Sequence, residues 1–403
     1  MFDPYWNGIP LREIAARTGT PVVILSEARL RANVRDLRAG LGAGAVLRYC
    51  AKTNPEARVL RLVAEEGAHL LASHEAEVHA GLEAGVPAAA IAFQRPVLDE
   101  REVESVVRLG VRRLHAFRAG DLDLLSRVAR RMGVLLRVSL RIALARRGMF
   151  VLAAASRRLG FSGPVADPAR DGLAVDALNT YIGTQQENPE AYRGAVRALA
   201  QLAARIGTVE ELNLGGGVPS PTLRRVTAGR LLRRKATAPA LSLAAYAASL
   251  RRIFDEEVKA PMRLALEPGR SIAGNAAVVI ASVAASQERW RFLDCGRNVL
   301  VESPLAFTRG IAPLEPGRGT PALVHISGPT LNTIDVVDMY RRLPELRTGD
   351  LVAIGDAGAY TLSRATRYAG LLPAVVLLRS DGSLETIHAA ETCAGAAASL
   401  EVR

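Results

Sequence analysis

The chain is poor in lysine. Of its 52 basic residues only Lys52, Lys235 and Lys259 are lysines, so each primary amine can be weighed singly against a background of arginine. Cysteine is scarce as well: Cys50, Cys295 and Cys393 are an odd number at no metal-ligand spacing, which excludes a disulfide framework and indicates no metal site. Aromatic residues make up 4% of the chain and do not interleave with the basic ones. With no helix-turn-helix, finger or RNA-binding motif, nucleic acid is not an expected partner. No apolar run reaches the roughly 18 residues that span a bilayer. The opening residues, broken by Pro4 and Pro10, lack the apolar core of a secretory leader, so the expectation is a cytoplasmic protein without a membrane partner.

What is present is a large apolar fraction, 49% of 403 residues, enough for two or three domains or for one α/β barrel with a smaller companion. The formal charge of +12 is spread along helical stretches and reads mainly as a solvated basic surface. Its densest run, Arg224, Arg225, Arg230, Arg233, Arg234 and Lys235, suggests a second reading, an acidic carrier protein that delivers the substrate.

From about residue 45, short apolar runs alternate with stretches whose apolar positions recur every three or four residues, the pattern of βα units. Eight strands are expected: Ala45–Cys50, Ala68–Ala72, Ala90–Phe93, Arg113–Ala116, Val134–Arg141, Asn179–Gly183, Glu211–Leu214 and Arg263–Glu267. Eight parallel strands with helices outside make a (β/α)8 TIM-type barrel, whose chemistry belongs on the loops at the strand C-termini. After residue 277 the rhythm changes to short strands punctuated by Gly and Asp-Gly, an all-β domain to which the run Pro21–Leu25 adds a strand. The expected division is a barrel over 26–276 and a β domain formed by 1–25 and 277–403. Ala143–Asp171 and Ser220–Ala240 break the barrel rhythm and read as loops or insertions.

Four segments carry candidate chemistry. Lys52 follows a strand and opens the loop KTNP, placing an amine at the barrel mouth, where a desolvated lysine condenses with aldehydes. Lys259 instead ends a helix, where a cation suits the dipole. Gly215, Gly216 and Gly217 follow the strand ELNL, so backbone amides there can approach a phosphate unhindered by a Cβ. Glu267 and Arg270 flank a Pro-Gly turn and either grip opposite ends of a small aromatic phosphate or form a plain loop salt bridge. GDAGAYT, Gly355–Thr361, offers the hydroxyl of Tyr360.

Taken in order, RYCAKTNP, LNLGGGVP, LEPGRS and GDAGAYT resemble the alanine-racemase-like (fold type III) pyridoxal-phosphate enzymes, in particular their diaminopimelate, ornithine and arginine decarboxylase branch. The resemblance implies a barrel plus a β domain, a homodimer with shared active sites, and pyridoxal 5'-phosphate as cofactor. It implies that Lys52 holds the cofactor as a Schiff base and that Glu267 keeps the ring nitrogen protonated. Gly216, Gly217, Arg270 and Tyr360 are implied to hold the phosphate, with Gly269 in the same cofactor-binding set. Thr184 matches a small hydroxyl residue near the phosphate, and Arg141 matches an arginine near the cofactor. Tyr181 replaces a stacking histidine and is a candidate catalytic residue, while His74 matches a small residue beside the cofactor.

The departures from the family are as informative. Its decarboxylases carry a Gly-Pro-x-Cys-acid segment, contributed by the partner subunit, in which cysteine gives a proton and the acid reads a distal amine. Here the segment is GPTLNTID, so Leu331 and Asn332 stand at those two positions, with Asp335 following as a candidate substrate and catalytic residue. Leu71 is apolar where relatives have an acid. Leucine donates no proton, so Lys52, Tyr181 or water must reprotonate the substrate. The reading is a decarboxylase acting on an amino acid or amino-acid derivative, such as a carrier-tethered or siderophore-type precursor. Epimerisation, elimination, retro-aldol cleavage and a non-catalytic cofactor-binding partner remain alternatives.

Overall fold

The alternating apolar runs pair side by side and all in parallel. Val46–Cys50, His69–Ala72, Ile91–Phe93, Arg113–Ala116, Leu136–Arg141, Leu173–Asn179, Glu211–Asn213 and Arg263–Leu266 close in chain order into an eight-stranded barrel. The structure, a computed structural model, describes residues 3–144, 158–162, 168–226, 236–237, 241–302 and 307–400. Barrel strands are covered on both faces, so most of their positions are buried apolar residues, as parallel sheets require. Helices between them bury one stripe each. Ala57–Glu65 hides Val59, Leu60, Leu62 and Val63, and Glu100–Arg108 hides Val103, Val106 and Val107 behind an N-cap in which Asp99 accepts the Glu102 amide.

The sixth strand is Leu173–Asn179, not the expected Asn179–Gly183. Tyr181 and Ile182 favour extended structure locally, but the run LAVDALN finds two partners, Leu136–Arg141 and Glu211–Asn213, and pairing decides. Residues 180–186 become the loop at the strand's C-terminal end, with Gly183 at φ 126° and Gln185 at φ 49°. In the expected insertions, 145–157, 163–167, 227–235 and 238–240 lie outside the described residues, among them Arg230, Arg233, Arg234 and Lys235. Ser220–Ala240 is not wholly loop, since Arg224–Val226 pairs with Phe307–Thr308 and with Ala236–Thr237.

The chain divides into two compact units, one of Asn33–Pro219 and Ala240–Gly269, the other of Met1–Ala32, Ser220–Pro239 and Arg270–Arg403. The first holds the barrel. The division thus falls at 32/33 and 269/270 instead of 25/26 and 276/277, and 220–239 groups with the second unit. In that unit a sheet runs through Ala277–Gln287, and Val22–Ser26 is central to it, antiparallel to Ala277–Gln287 and parallel to Ala374–Leu378. All five of its residues are buried, so the N-terminal segment completes the core with Trp6, Leu11, Ile14, Val278, Ile280 and Val376. The unit is not purely β, because Leu11–Thr18 and Cys393–Leu400 are helical. Among the described residues no helix is long and apolar enough to cross a membrane.

Inside the barrel Arg48 and Glu211 form a buried bidentate pair, with Nη1 to Oε1 at 2.8 Å and Nη2 to Oε2 at 3.0 Å. Burial opposes ionisation of Glu211, but Arg48, aided by Arg113 and Arg263, outweighs it and holds the carboxyl below its ordinary range. Arg48→Met should therefore cost about 3–5 kcal/mol in urea unfolding, because Glu211 is left buried and unpaired, whereas Arg48→Met with Glu211→Leu should recover most of it. The pair's contribution is full above the ordinary carboxylate range and fades as pH falls through the depressed value of Glu211. The stability gap between wild type and the double variant should close on acidification.

Candidate active site

Polar side chains collect where the barrel strands end. Glu267, one residue past the eighth strand, is a fully enclosed carboxylate that Asn213 donates to at 2.6 Å on Oε1 and Asn179 donates to at 3.0 Å on Oε2. Both asparagines are the last residues of adjacent strands, in register with each other. Each works in two directions. The Asn213 Oδ1 accepts the Gly215 amide at 2.9 Å, which fixes the glycine turn, and the Asn179 Oδ1 accepts Nη1 of Arg141. Arg141 also lies 5.6 Å over the ring of Tyr181. Burial pushes the Glu267 carboxyl up, and Arg48, Arg141, Asn213 and Asn179 only partly reverse it, so a cationic group brought against it would draw it back to the ionised form. His115, in the fourth strand, sits 3.4 Å by Nε2 from Glu267 Oε1, yet neither ring nitrogen makes a hydrogen bond among the described residues. Burial, with Arg48, Arg141 and Arg113, holds it well below its ordinary value and keeps the imidazole neutral.

Lys52 lies in the 3-10 turn Ala51–Thr53, after the first strand, and is exposed. Its charge lowers both the Cys50 thiol, which burial nevertheless raises to about 11, and the Glu77 carboxyl, which burial also raises. The turn is seated on the end of the eighth strand. Cys50 N donates to Pro268 O at 3.1 Å, and a Cβ at Gly269 would fall 2.0 Å from Thr53 Oγ1, so only glycine fits there. At Gly217, with φ 99°, a Cβ would meet Gly183 O at 2.2 Å, which packs the glycine turn against the loop bearing Tyr181 and Thr184. The amides of Gly216 and Gly217 donate to nothing in the protein among the described residues, and both glycines are partly exposed. Thr184 is exposed on the same loop.

The other expected residues, His74 and Leu71 apart, lie in the second unit. Arg270 is sandwiched between Tyr360, 5.0 Å away, and Phe307, 5.2 Å away, and its Nη atoms form a fork on Glu302, leaving Nε buried without a hydrogen-bond partner among the described residues. Tyr360 is held at φ 57°. Asp335, expected near the substrate, also lies in this unit. It is buried, and its carboxylate accepts the Arg297 amide at 2.7 Å and both the amide and hydroxyl of Thr330, which closes the loop Gly328–Asp335. Asn332 Oδ1 accepts the Ile334 amide, while Leu331 is wholly exposed. His74 caps the helix Glu75–Glu83 by accepting the Ala76 amide on Nδ1, and Leu71 packs with Cys50 and Ala92.

Comparison with known proteins agrees with this geometry. The family described as pyridoxal-dependent decarboxylase, pyridoxal binding domain, matches residues 27–274. The chain belongs to the pyridoxal-dependent decarboxylases. Similar sequences include a diaminopimelate decarboxylase of Actinosynnema pretiosum, 28% identical with 96% of this chain and 90% of the relative covered. Another is a lysine/ornithine decarboxylase of Selenomonas ruminantium, 26% identical over 92% of each. In fold the chain is similar to the diaminopimelate decarboxylase of M. jannaschii, at a TM-score of 0.82 and 20% identity over 99% of this chain and 96% of that one.

The cofactor of this decarboxylase is pyridoxal phosphate, and the barrel residues fit it. Two free amides at Gly216 and Gly217 suit phosphate oxygens, a shielded carboxylate at Glu267 suits a protonated ring nitrogen, and the Lys52 amine suits an aldehyde. The sequence reading missed Asn179, Asn213 and His115. A strand-terminal asparagine beside a family motif was the available signal for the first two, and His115 carried none. Asn213→Leu strips one donor from Glu267 and frees the Gly215 amide. It should lower stability by about 1–3 kcal/mol in chemical denaturation and weaken cofactor binding measured by dialysis.

Proposed function

We propose that this decarboxylase removes the α-carboxylate of an amino acid whose distal end is not a bare ammonium, in a site built on Lys52 and Glu267. The observation that carries the reading is the enclosed Glu267 carboxylate, fixed by two asparagines at the same strand ends that present the glycine turn and Arg141. Pyridoxal phosphate, when bound, supplies an aldehyde for amines and a ring that accepts the electron pair left when CO2 departs. Glu267 holds a proton at the ring nitrogen, Gly216 and Gly217 hold phosphate oxygens by their amides, and Thr184 adds a hydroxyl beside them. The Lys52 amine would hold the cofactor's aldehyde and, with the Tyr181 hydroxyl, would carry a proton to Cα of the substrate. Arg141 is anchored by Asn179 under the Tyr181 ring and orients it. Arg270, with Glu302 on its Nη atoms, offers Nε to an anion, and Tyr360 stacked on it offers its hydroxyl.

The partner we propose for the loop Gly328–Asp335 is a second copy of the chain. Leu331 is fully exposed and Ile334 is 60% exposed on a loop whose frame Asp335 holds rigid, a poor surface to leave in water. An apolar tip without a carboxylate also supports a substrate with an apolar or masked distal group. A carrier-tethered substrate would be one such case, but of the basic run Arg224–Lys235 only Arg224 and Arg225 fall among the described residues.

Three outcomes are expected. Wild type loaded with cofactor should show an absorbance band near the visible edge that shifts with one class of amino acid and accompanies CO2 release, and Lys52→Ala should lose both. Glu267→Gln should keep the band and slow CO2 release by roughly a hundredfold or more. A band that shifts without CO2 would instead mean epimerisation, elimination or retro-aldol cleavage, which Leu331 in place of a proton donor favours. Light scattering should give twice 42.9 kDa, and Leu331→Arg with Ile334→Arg should lower that mass and CO2 release together.

A further inference from the structure

The second unit bears a partly open cavity of about 370 Å³ that none of the expected cofactor residues lines. Its charged wall is four arginines, Arg29, Arg224, Arg309 and Arg341, against two aspartates, Asp3 and Asp356. The aspartates neutralise it only in part. Asp3 is largely exposed, accepts the Tyr5 amide at 3.0 Å and pairs with Arg29 at 3.5 Å, while Asp356 faces Arg29 and Arg309, is hydrogen-bonded by the Ser220 and Thr222 hydroxyls and is pushed by burial toward its neutral form. Beyond the wall, Asp338 pairs with Arg341 at 2.8 Å, and Glu302 must serve both Arg270 and Arg309, which it meets at 3.2 Å. One carboxylate between two guanidiniums leaves a positive charge over, and Arg309 keeps a buried Nη1 with no hydrogen-bond partner among the described residues. Arg224 has no ion-pair partner there at all, and Arg29 is pinned 4.7 Å over the Trp6 ring at the cavity edge.

Guanidinium groups converging on one cavity are the arrangement that recognises phosphate or carboxylate oxygens, and the volume lies in the range of small-metabolite sites. We propose that this cavity binds a small phosphate monoester, its oxyanion held by Arg309 and Arg224 and the remainder lying toward Trp6 and Arg29. Free inorganic phosphate shares the oxyanion chemistry but would fill only part of the space.

The test is isothermal titration of the full-length, cofactor-loaded protein at low ionic strength with glycerol 3-phosphate and with inorganic phosphate, each against chloride at matched ionic strength. Saturable binding of one molecule per chain is expected, tighter for glycerol 3-phosphate and weakened roughly tenfold or more by Arg224→Ser and by Arg309→Met. Binding of inorganic phosphate alone, lost in the same variants, would assign the oxyanion site to free phosphate and overturn the ester. No saturable heat, heat matched by chloride, or binding untouched by either variant would overturn the site. Should Arg309→Met fail to fold, Arg224→Ser decides, since Arg224 is exposed and makes no ion pair.

Discussion

A carboxylate enclosed in an apolar barrel is unfavourable unless donors surround it, and Glu267 imposes that requirement on everything near it. Its two oxygens claim the amides of Asn179 and Asn213, which is why two neighbouring strands both end in asparagine. Each asparagine has one carbonyl left, and each uses it to place another functional group, Arg141 in one case and the Gly215 turn in the other. Glu267, the Gly215 turn and Arg141 are therefore one hydrogen-bonded assembly.

The scarcity of lysine and abundance of arginine shape the rest of the molecule. Guanidinium groups form bidentate pairs and can be buried if a carboxylate meets them, so the chain places Arg48 on Glu211 and sets Arg113 and Arg137 on Asp176 within the barrel. Where a carboxylate is shared, as Glu302 is between Arg270 and Arg309, the arrangement carries surplus positive charge into an enclosed region. The same composition leaves Lys52 as the single amine on a barrel-mouth turn, the place where an amine with lone-pair chemistry is useful and a guanidinium is not.

The loop Gly328–Asp335 shows how a family frame persists while its chemistry changes. Asp335 ties the loop internally through Arg297 and Thr330, a task that needs a buried acceptor and is independent of what the tip displays. The tip is then open to substitution, and Leu331 with Ile334 turns it apolar. A rigid frame with an altered tip is a direct route to a new distal specificity on an unchanged barrel.

The sequence by itself determined the barrel, because seven of its eight strands are apolar runs whose periodicity survives folding, and it determined the N-terminal strand Val22–Ser26 as part of the β unit. Lys52, Glu267 and the glycine turn were legible because each sits at a strand end next to residues with narrow chemical uses. Tertiary structure alone decided the sixth strand, where pairing on both sides outweighed the local preference of Tyr181 and Ile182. It decided Asn179, Asn213 and His115 too, since hydrogen bonds and close approaches between residues 54 to 152 positions apart leave no local periodicity to read. It also decided the burial of Asp335, because an aspartate's burial and partners are set by the loop closing around it and not by its neighbours in the chain.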